Sequence, residues 1–466
     1  MRITHWITAF SFIGLLVSGV AILLAHPRLY WGETGAVGTP SLLDLPLPFV
    51  LVLQSGWGRS LHFLSAWISV LAGLCYVLFG VLTPHFRKNL IPAKADLAWR
   101  SVARAFSMHL RLTRPDEGES LSYNVLQRLA YSTVVFLLFP LVIWTGLAMS
   151  PSVTSGFPAL VNSLGGQQSA RTIHFCVSVL LVLFLVVHIV MVYLAGFASR
   201  TRAMITPFSM EPVTRRELIT AGLATAGGAA GLAVAGRPAD RYGLIPPDHR
   251  GIYGIGETLT YASQRLVTSG QPLAREFDRS AISKVAPVNG EAPDSDSYRR
   301  LLAGGFVDWR LVVDGLVARP HAFSLAEIKQ FPSRTQICHQ ACEEGWSFIA
   351  EWTGVPLSYI LNLVGVSPRA NYVAFFPLDL NSGKRLWSSL DMADARHPQT
   401  LLAYGMNGED VPADHGAPVR LRVARQLGYK NIKFLARITV VDEIKKIGNG
   451  LGSSSVDVGY SWYAGI

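Results

Sequence analysis

Long apolar runs fill the first half of the chain, and short alternating ones fill the second. Stretches at Trp6–Ala25, Leu61–Thr83, Leu129–Met149 and Ile173–Phe197 each approach or exceed the length that a bilayer-spanning helix needs, about 20 residues, and a weaker fifth run covers Leu218–Ala235. From about residue 245 the period changes to strand-like alternation broken by turn residues. Trp309–Val317 reads as two short strands around an Asp314-Gly315 turn, Pro356–Val364 as a short helix, and Tyr372–Phe376 as a further strand. No dinucleotide or phosphate-loop glycine pattern interrupts this half. The predicted fold is a membrane all-α bundle of four helices plus a fifth transmembrane helix, followed by an extramembrane α+β domain. The divisions fall at 1–200, 201–240 and 241–466.

Composition agrees with that split. Of 466 residues, 50% are hydrophobic and only 15% charged, well under the quarter or so usual in soluble domains. The net charge of +10 does not mark a nucleic-acid binder, because the basic residues sit in the connections between apolar runs. Arg87, Lys88, Lys94, Arg100, Arg104, Arg111 and Arg114 occupy one connection, and Arg200, Arg202, Arg215 and Arg216 follow the fourth run. Loops 26–60 and 150–172 carry only Arg28, Arg59 and Arg171. This bias places the basic loops and the N-terminus in the cytoplasm of a bacterial inner membrane. Arg215-Arg216 before a weakly apolar run resembles a twin-arginine export signal, or else anchors an ordinary helix. Either way residues 241–466 lie on the periplasmic side. Ala233-Val234-Ala235 resembles a signal-peptidase site, although retention of the whole chain in the membrane is expected.

Ligating side chains inside spanning helices point to function. His174 and His188 are fourteen residues apart on the fourth run, which places them about 40° apart in rotation and roughly 21 Å apart in depth. His62 opens the second run near the depth of His174, and His5 opens the first near that of His188. Two histidine pairs at two depths suit two haems, each closed on both faces and therefore limited to passing electrons. Arg2-Ile3-Thr4-His5-Trp6, His62 and the His174/His188 spacing resemble the di-haem cytochrome b subunits of bacterial hydrogenases and formate dehydrogenases, over roughly residues 1–200. The resemblance implies two haem b with His5, His62, His174 and His188 as iron ligands. His26 and His85 stand in reserve, and Arg59 and Arg171 are candidates for the outer haem's propionates.

In the second half one passage carries chemistry: Cys338-His339-Gln340-Ala341-Cys342-Glu343-Glu344-Gly345-Trp346-Ser347. No second ligand pair completes a zinc site around it. Residues 342–347, with His397–Tyr404, His415–Arg420 and Gly428–Lys433, resemble the sulfite-oxidase-like molybdopterin-binding oxidoreductases, and most of all the branch containing the periplasmic methionine sulfoxide reductase catalytic subunit. The resemblance implies a single-pterin molybdenum cofactor with Cys342 as the protein thiolate, a soft ligand suited to that metal. It also implies cofactor contacts from Asn289, His415, Arg420, Asn431, Ile432 and Lys433, with Arg420 and Lys433 suited to the phosphate. Cys338 falls outside the ligand position. Two departures, Glu343 in place of a small apolar residue and Pro377 in place of a threonine, leave the substrate open.

The expectation is a membrane-bound molybdoenzyme that exchanges electrons between the quinone pool and molybdenum through two b haems, reducing an S-oxide or N-oxide. Two alternatives stand beside it: sulfite-type oxidation that delivers electrons to quinone, and a haem conduit with a non-catalytic outer domain.

Overall fold

The computed structural model describes residues 2–46, 55–92, 125–194, 196–205, 244–249, 251, 253–378 and 386–466. Among these, four helices are long and apolar enough to cross a membrane: α1 (Arg2–Ala25), α2 (Ser55–Leu82), α3 (Val125–Ala148) and α4 (Gln167–Leu194). They start earlier than the apolar runs do, because a helix continues through flanking polar residues such as Arg2 and Gln167 once its hydrogen-bond ladder is nucleated. Only 11–17% of their most apolar windows is buried by protein. Leu74, Leu78 and Leu82 of α2 stand open at 60%, 61% and 75% exposure among the described residues, a face suited to lipid. Arg215, Arg216 and the fifth run lie outside the described residues.

The chain divides into two compact units: residues 1–16, 65–144 and 173–244 in the first, and 17–64, 145–172 and 245–466 in the second. In the first, Val134, Leu138, Val177 and Leu181 pack with Phe12, and the Ser11 and Ser69 hydroxyls satisfy each other at 2.7 Å.

The second unit holds a small ribbon, β1 (Arg28–Leu29) against β2 (Leu43–Asp44), a helix α5 (Gly254–Val267), and two five-stranded sheets. One sheet joins β5 (Arg334–Ala341), β6 (Ser347–Pro356), β9 (Thr400–Met406) and β10 (Glu409–Asp410), with β11 (Arg420–Val423) also on β9. The other runs β4 (His321–Ser324), β3 (Arg310–Gly315), β12 (Leu435–Val441), β7 (Tyr372–Pro377), β8 (Ser388–Asp391). Alternate side chains of both sheets, among them Leu311, Val313, Val355, Leu402, Leu421 and Ile438, meet the helix α6 (Leu357–Val364) in one core.

The predicted strand at Tyr372 and the predicted helix at Pro356 are both present. The Asp314-Gly315 hairpin is not: β3 runs straight through both residues. Gly315 is needed there for close approach, since a Cβ would fall 2.2 Å from the Val440 carbonyl oxygen of the parallel neighbour β12.

A buried ionic knot closes the unit. The Asp394 carboxylate, 1% exposed, pairs with Arg425, accepts from Gln426 Nε2 at 2.9 Å and lies 3.5 Å from Arg265 of α5. Removing one partner of such a knot strands the other charges, at a cost of about 3–5 kcal/mol. Asp394→Asn should therefore lower the melting temperature by roughly 10 °C, followed by thermal circular dichroism of the detergent-solubilised chain. An unchanged melting temperature would contradict this role.

Candidate functional site

In the helical unit, the His5 and His188 rings face each other with centres 6.3 Å apart. That gap admits one metal atom bonded to both rings. Phe184 stacks on His188 at 5.8 Å, and Tyr131 meets its edge at 6.2 Å, fixing the ring plane. On α4, Ser178 donates to the His174 carbonyl at 2.8 Å. In the second unit, His62 Nδ1 pairs with Ser18 Oγ at 3.0 Å. A partner on one ring nitrogen sets the ring's orientation. His85 differs: Asn89 and Tyr76 occupy its two nitrogens at 2.8 and 3.4 Å. His26 Nδ1 is buried without a partner.

The cysteine lies in the loop between β5 and β6. Cys342 N–H donates to Trp346 O at 2.9 Å and Gly345 N–H to Cys342 O at 3.0 Å, a turn that Gly345 permits at φ +86°. The sulfur is 5% exposed. Asn289 Nδ2 approaches it at 3.7 Å, and the thiol donates to Glu343 Oε2 at 3.2 Å. Burial, reinforced by the Glu343 carboxylate, pushes this thiol well up, so an adjoining cation is what would keep it ionised.

The remaining predicted contacts form one connected set. Lys433 Nζ donates to Asn289 O at 2.6 Å and Asp414 O at 2.8 Å, tethering the segment that carries Asn289. Arg420 donates to His415 O at 2.8 Å and Asn431 O at 3.3 Å, while its Nε has no partner. The Ile432 carbonyl accepts from Leu421 N–H at 2.8 Å, joining the loop to β11. The sequence reading missed Arg422, fully buried and also with an unpartnered Nε. It lies two residues beyond Arg420 on the same strand face, so period-two spacing was the available signal. Both guanidiniums lie near the Trp352 ring, at 4.9 and 5.9 Å. Burial brings Arg420 down to about 9 and Lys433 to about 8. Buried basic donors held only by carbonyls fit an anionic group.

Cys338 is fully buried on β5, 3.5 Å from Arg422 Nη2, and burial pushes its thiol up as well. Arg171 finds carbonyl partners, Gly345 O at 2.6 Å and His26 O at 3.1 Å. Arg59 is 8% exposed with an unpartnered Nη2.

Residues 1–207 match the family model described as prokaryotic cytochrome b561, and residues 303–447 match the oxidoreductase molybdopterin-binding domain. Among curated proteins the chain is 37% identical over 193 residues to YedZ1 of Azospira oryzae, a candidate protein-methionine-sulfoxide reductase subunit, covering 41% of this chain and 68% of that one. It is 37% identical over 147 residues to the protein-methionine-sulfoxide reductase catalytic subunit MsrP of Xanthomonas campestris, covering 29% of this chain. The match spans 46% of that relative's length. Among solved structures, the sulfane dehydrogenase SoxCD of Paracoccus pantotrophus matches at 27% identity and a TM-score of 0.27, over 29% of this chain and 39% of that one.

Asn431 closes the loop between β11 and the Gly428 turn. Its Oδ1 accepts from Val423 N–H at 2.6 Å and Arg422 Nη1 at 3.0 Å, and its Nδ2 donates to Leu427 O at 3.0 Å. Asn431→Ala strands buried donors at about 1–3 kcal/mol each. Amide exchange across 423–428 should accelerate, with α1–α4 unaffected. Unchanged exchange there would show that the loop closes by other means.

Proposed function

Because this chain joins a prokaryotic cytochrome b561 domain to a molybdopterin-binding oxidoreductase domain, we propose that it passes electrons from membrane quinol through two b haems to a single-pterin molybdenum centre at Cys342, reducing an S-oxide or N-oxide. The observation that carries this reading is the buried Cys342 sulfur approached by Asn289, whose segment Lys433 tethers, in the same chain as a histidine pair whose ring centres lie 6.3 Å apart. The bound cofactors supply two-electron oxygen-atom exchange at molybdenum and one-electron steps at haem iron.

The chain's own residues do the rest. His5, His188, His62 and His174 would hold the two haems, Cys342 would hold the metal in a site its burial keeps dry, and Arg420 and Lys433 would receive the cofactor's phosphate, with Asn289, His415, Asn431 and Ile432 lining its seat. The balance closes as quinol plus S-oxide giving quinone, sulfide and water, with the two protons of the quinol matching the two consumed. The positive-inside bias supports a cytoplasmic position for the basic loops and a periplasmic one for the molybdenum domain.

One observation favours a second reading. Arg59 is a buried cation whose charge acts on Glu343, next to the sulfur, and a cation there suits a sulfur oxyanion. Sulfite-type oxidation would run electrons toward quinone. Adding methionine sulfoxide to the dithionite-reduced chain should oxidise the haem bands. Haems that stay reduced with every S- and N-oxide, yet become reduced when sulfite meets the oxidised chain, would overturn the first reading in favour of the second.

The cysteines separate cleanly. Cys342→Ser should abolish turnover, because an alkoxide is a harder and more basic ligand than thiolate, whereas Cys338→Ser should retain it. Equal loss at both would point to a shared metal or disulfide. His188→Ala should remove one of two haems in the pyridine-haemochrome assay, and retention of both would refute the His5/His188 assignment.

A further inference from the structure

Arg171 and Gln168 stand one turn apart on α4, the spacing that puts two side chains on one helix face. Both donate to the same peptide of the cysteine loop. Arg171 Nη1 reaches Gly345 O at 2.6 Å, and Gln168 Nε2 reaches Gly345 O at 3.0 Å and Ser347 Oγ at 2.8 Å. Position 345 is shaped around the guanidinium: a Cβ there would fall 2.3 Å from Arg171 Nη1, and its backbone sits at φ +86°.

The loop between α1 and α2 completes the junction. Gly35 and Ser347 exchange backbone hydrogen bonds at 3.0 and 2.8 Å, and Ser347 Oγ donates to Glu33 O at 3.1 Å. Gln168 N–H donates to Gly32 O at 3.0 Å, Gly32 N–H to Ser169 Oγ at 2.8 Å, and Thr172 Oγ1 to Tyr30 O at 2.6 Å. The glycine held by Arg171 is itself bonded to the cysteine, through Gly345 N–H to Cys342 O at 3.0 Å. Covalent and hydrogen bonds therefore run unbroken from the first turn of α4 to the residue that bears the sulfur. His174 lies three residues beyond Arg171 in the chain.

We infer that Arg171, seconded by Gln168, is a positioning residue for electron transfer, coupling the Cys342 loop to the helix that carries His174. The inference rests on the proposed direction of flow from haem to molybdenum. Electrons pass singly from ferrous haem, two per S-oxide, with the two protons that water formation consumes coming ultimately from quinol. No atom or proton moves at Arg171, which remains a cation throughout. Lysine in its place keeps the charge but lacks the planar fork that spans two carbonyls.

The test uses the full chain, with haem and molybdenum contents measured for each variant. Haems are reduced with dithionite, excess reductant is removed, methionine sulfoxide is added, and haem reoxidation is followed by stopped flow. A reduced dye that donates directly at the molybdenum domain gives the parallel rate, and the Mo(V) electron paramagnetic resonance signal reports the thiolate ligand. Arg171→Lys should slow haem reoxidation by at least about tenfold, as small misplacements of a transfer geometry do. Cofactor contents, the Mo(V) signal and the dye-driven rate should hold. Gln168→Ala, the milder change, should show the same split to a smaller degree. Haem reoxidation unchanged in both variants, or haem and dye-driven rates falling together, overturns the inference. If methionine sulfoxide fails to oxidise the wild-type haems, the electron-transfer reading itself falls and takes this inference with it.

Discussion

A cation taken out of water needs acceptors, and in the molybdopterin domain those acceptors are mostly main-chain carbonyls. Arg420, Arg422 and Lys430 are each 3% exposed or less. Arg420 is held by the carbonyls of His415 and Asn431, Arg422 by those of Val423 and His339, and Lys430 by those of Ser389 and Trp462. Each such bond is charge-assisted and stronger than one between neutral groups, and three of the carbonyls, those of His415, Asn431 and Trp462, lie outside the strands. The cations therefore do for the loops around Cys342 what ladder hydrogen bonds do for strands. Without them the segments at 339–346, 413–418 and 427–433 would have backbone acceptors buried and unmatched, at a cost that a marginally stable domain cannot absorb.

The helical half meets the same demand by other means. In a bilayer every backbone group must be satisfied inside the segment, which long uninterrupted helices do automatically. The polar side chains that remain are few and are matched locally: Ser11 with Ser69, Ser18 with His62, and Thr83 with the Phe79 carbonyl. A histidine left with a ring nitrogen free of such pairing is expensive in lipid unless something coordinates it. His5 and His188 face each other across a gap, whereas His85 is occupied on both nitrogens.

How much of this was legible in the sequence depends on the range of the interaction. The four membrane helices are set by local composition, and so they could be read directly. The cysteine loop with its partners was legible because a family resemblance carried long-range information that spacing alone does not hold. Arg422 was missed although its period-two relation to Arg420 lay in plain sight. The Asp314-Gly315 turn was misread because the pair favours hairpins locally, while the close approach of Val440 decided the matter from 125 residues away. Nothing in the sequence joined Arg171 to Gly345. Their contact spans 174 positions, and a lone glycine in a loop has many explanations.

The choice of acceptor also separates two kinds of buried cation. Arg425 faces the Asp394 carboxylate, with both side chains 1% exposed. That pair is neutral overall and presents no field to a ligand, which suits a purely structural knot. Arg420 and Lys433 face carbonyls, whose dipoles satisfy the donors but leave the net charge standing. Burial then disfavours the charged forms, bringing the two groups to about 9 and about 8. An anionic ligand would relieve that penalty, whereas a carboxylate partner would have relieved it in advance and repelled the ligand. Carbonyl pairing thus builds a site that is folded before its anion arrives and still attracts it. By the same test Arg171, held by the carbonyls of Gly345 and His26, keeps its charge uncancelled within the junction at the cysteine loop.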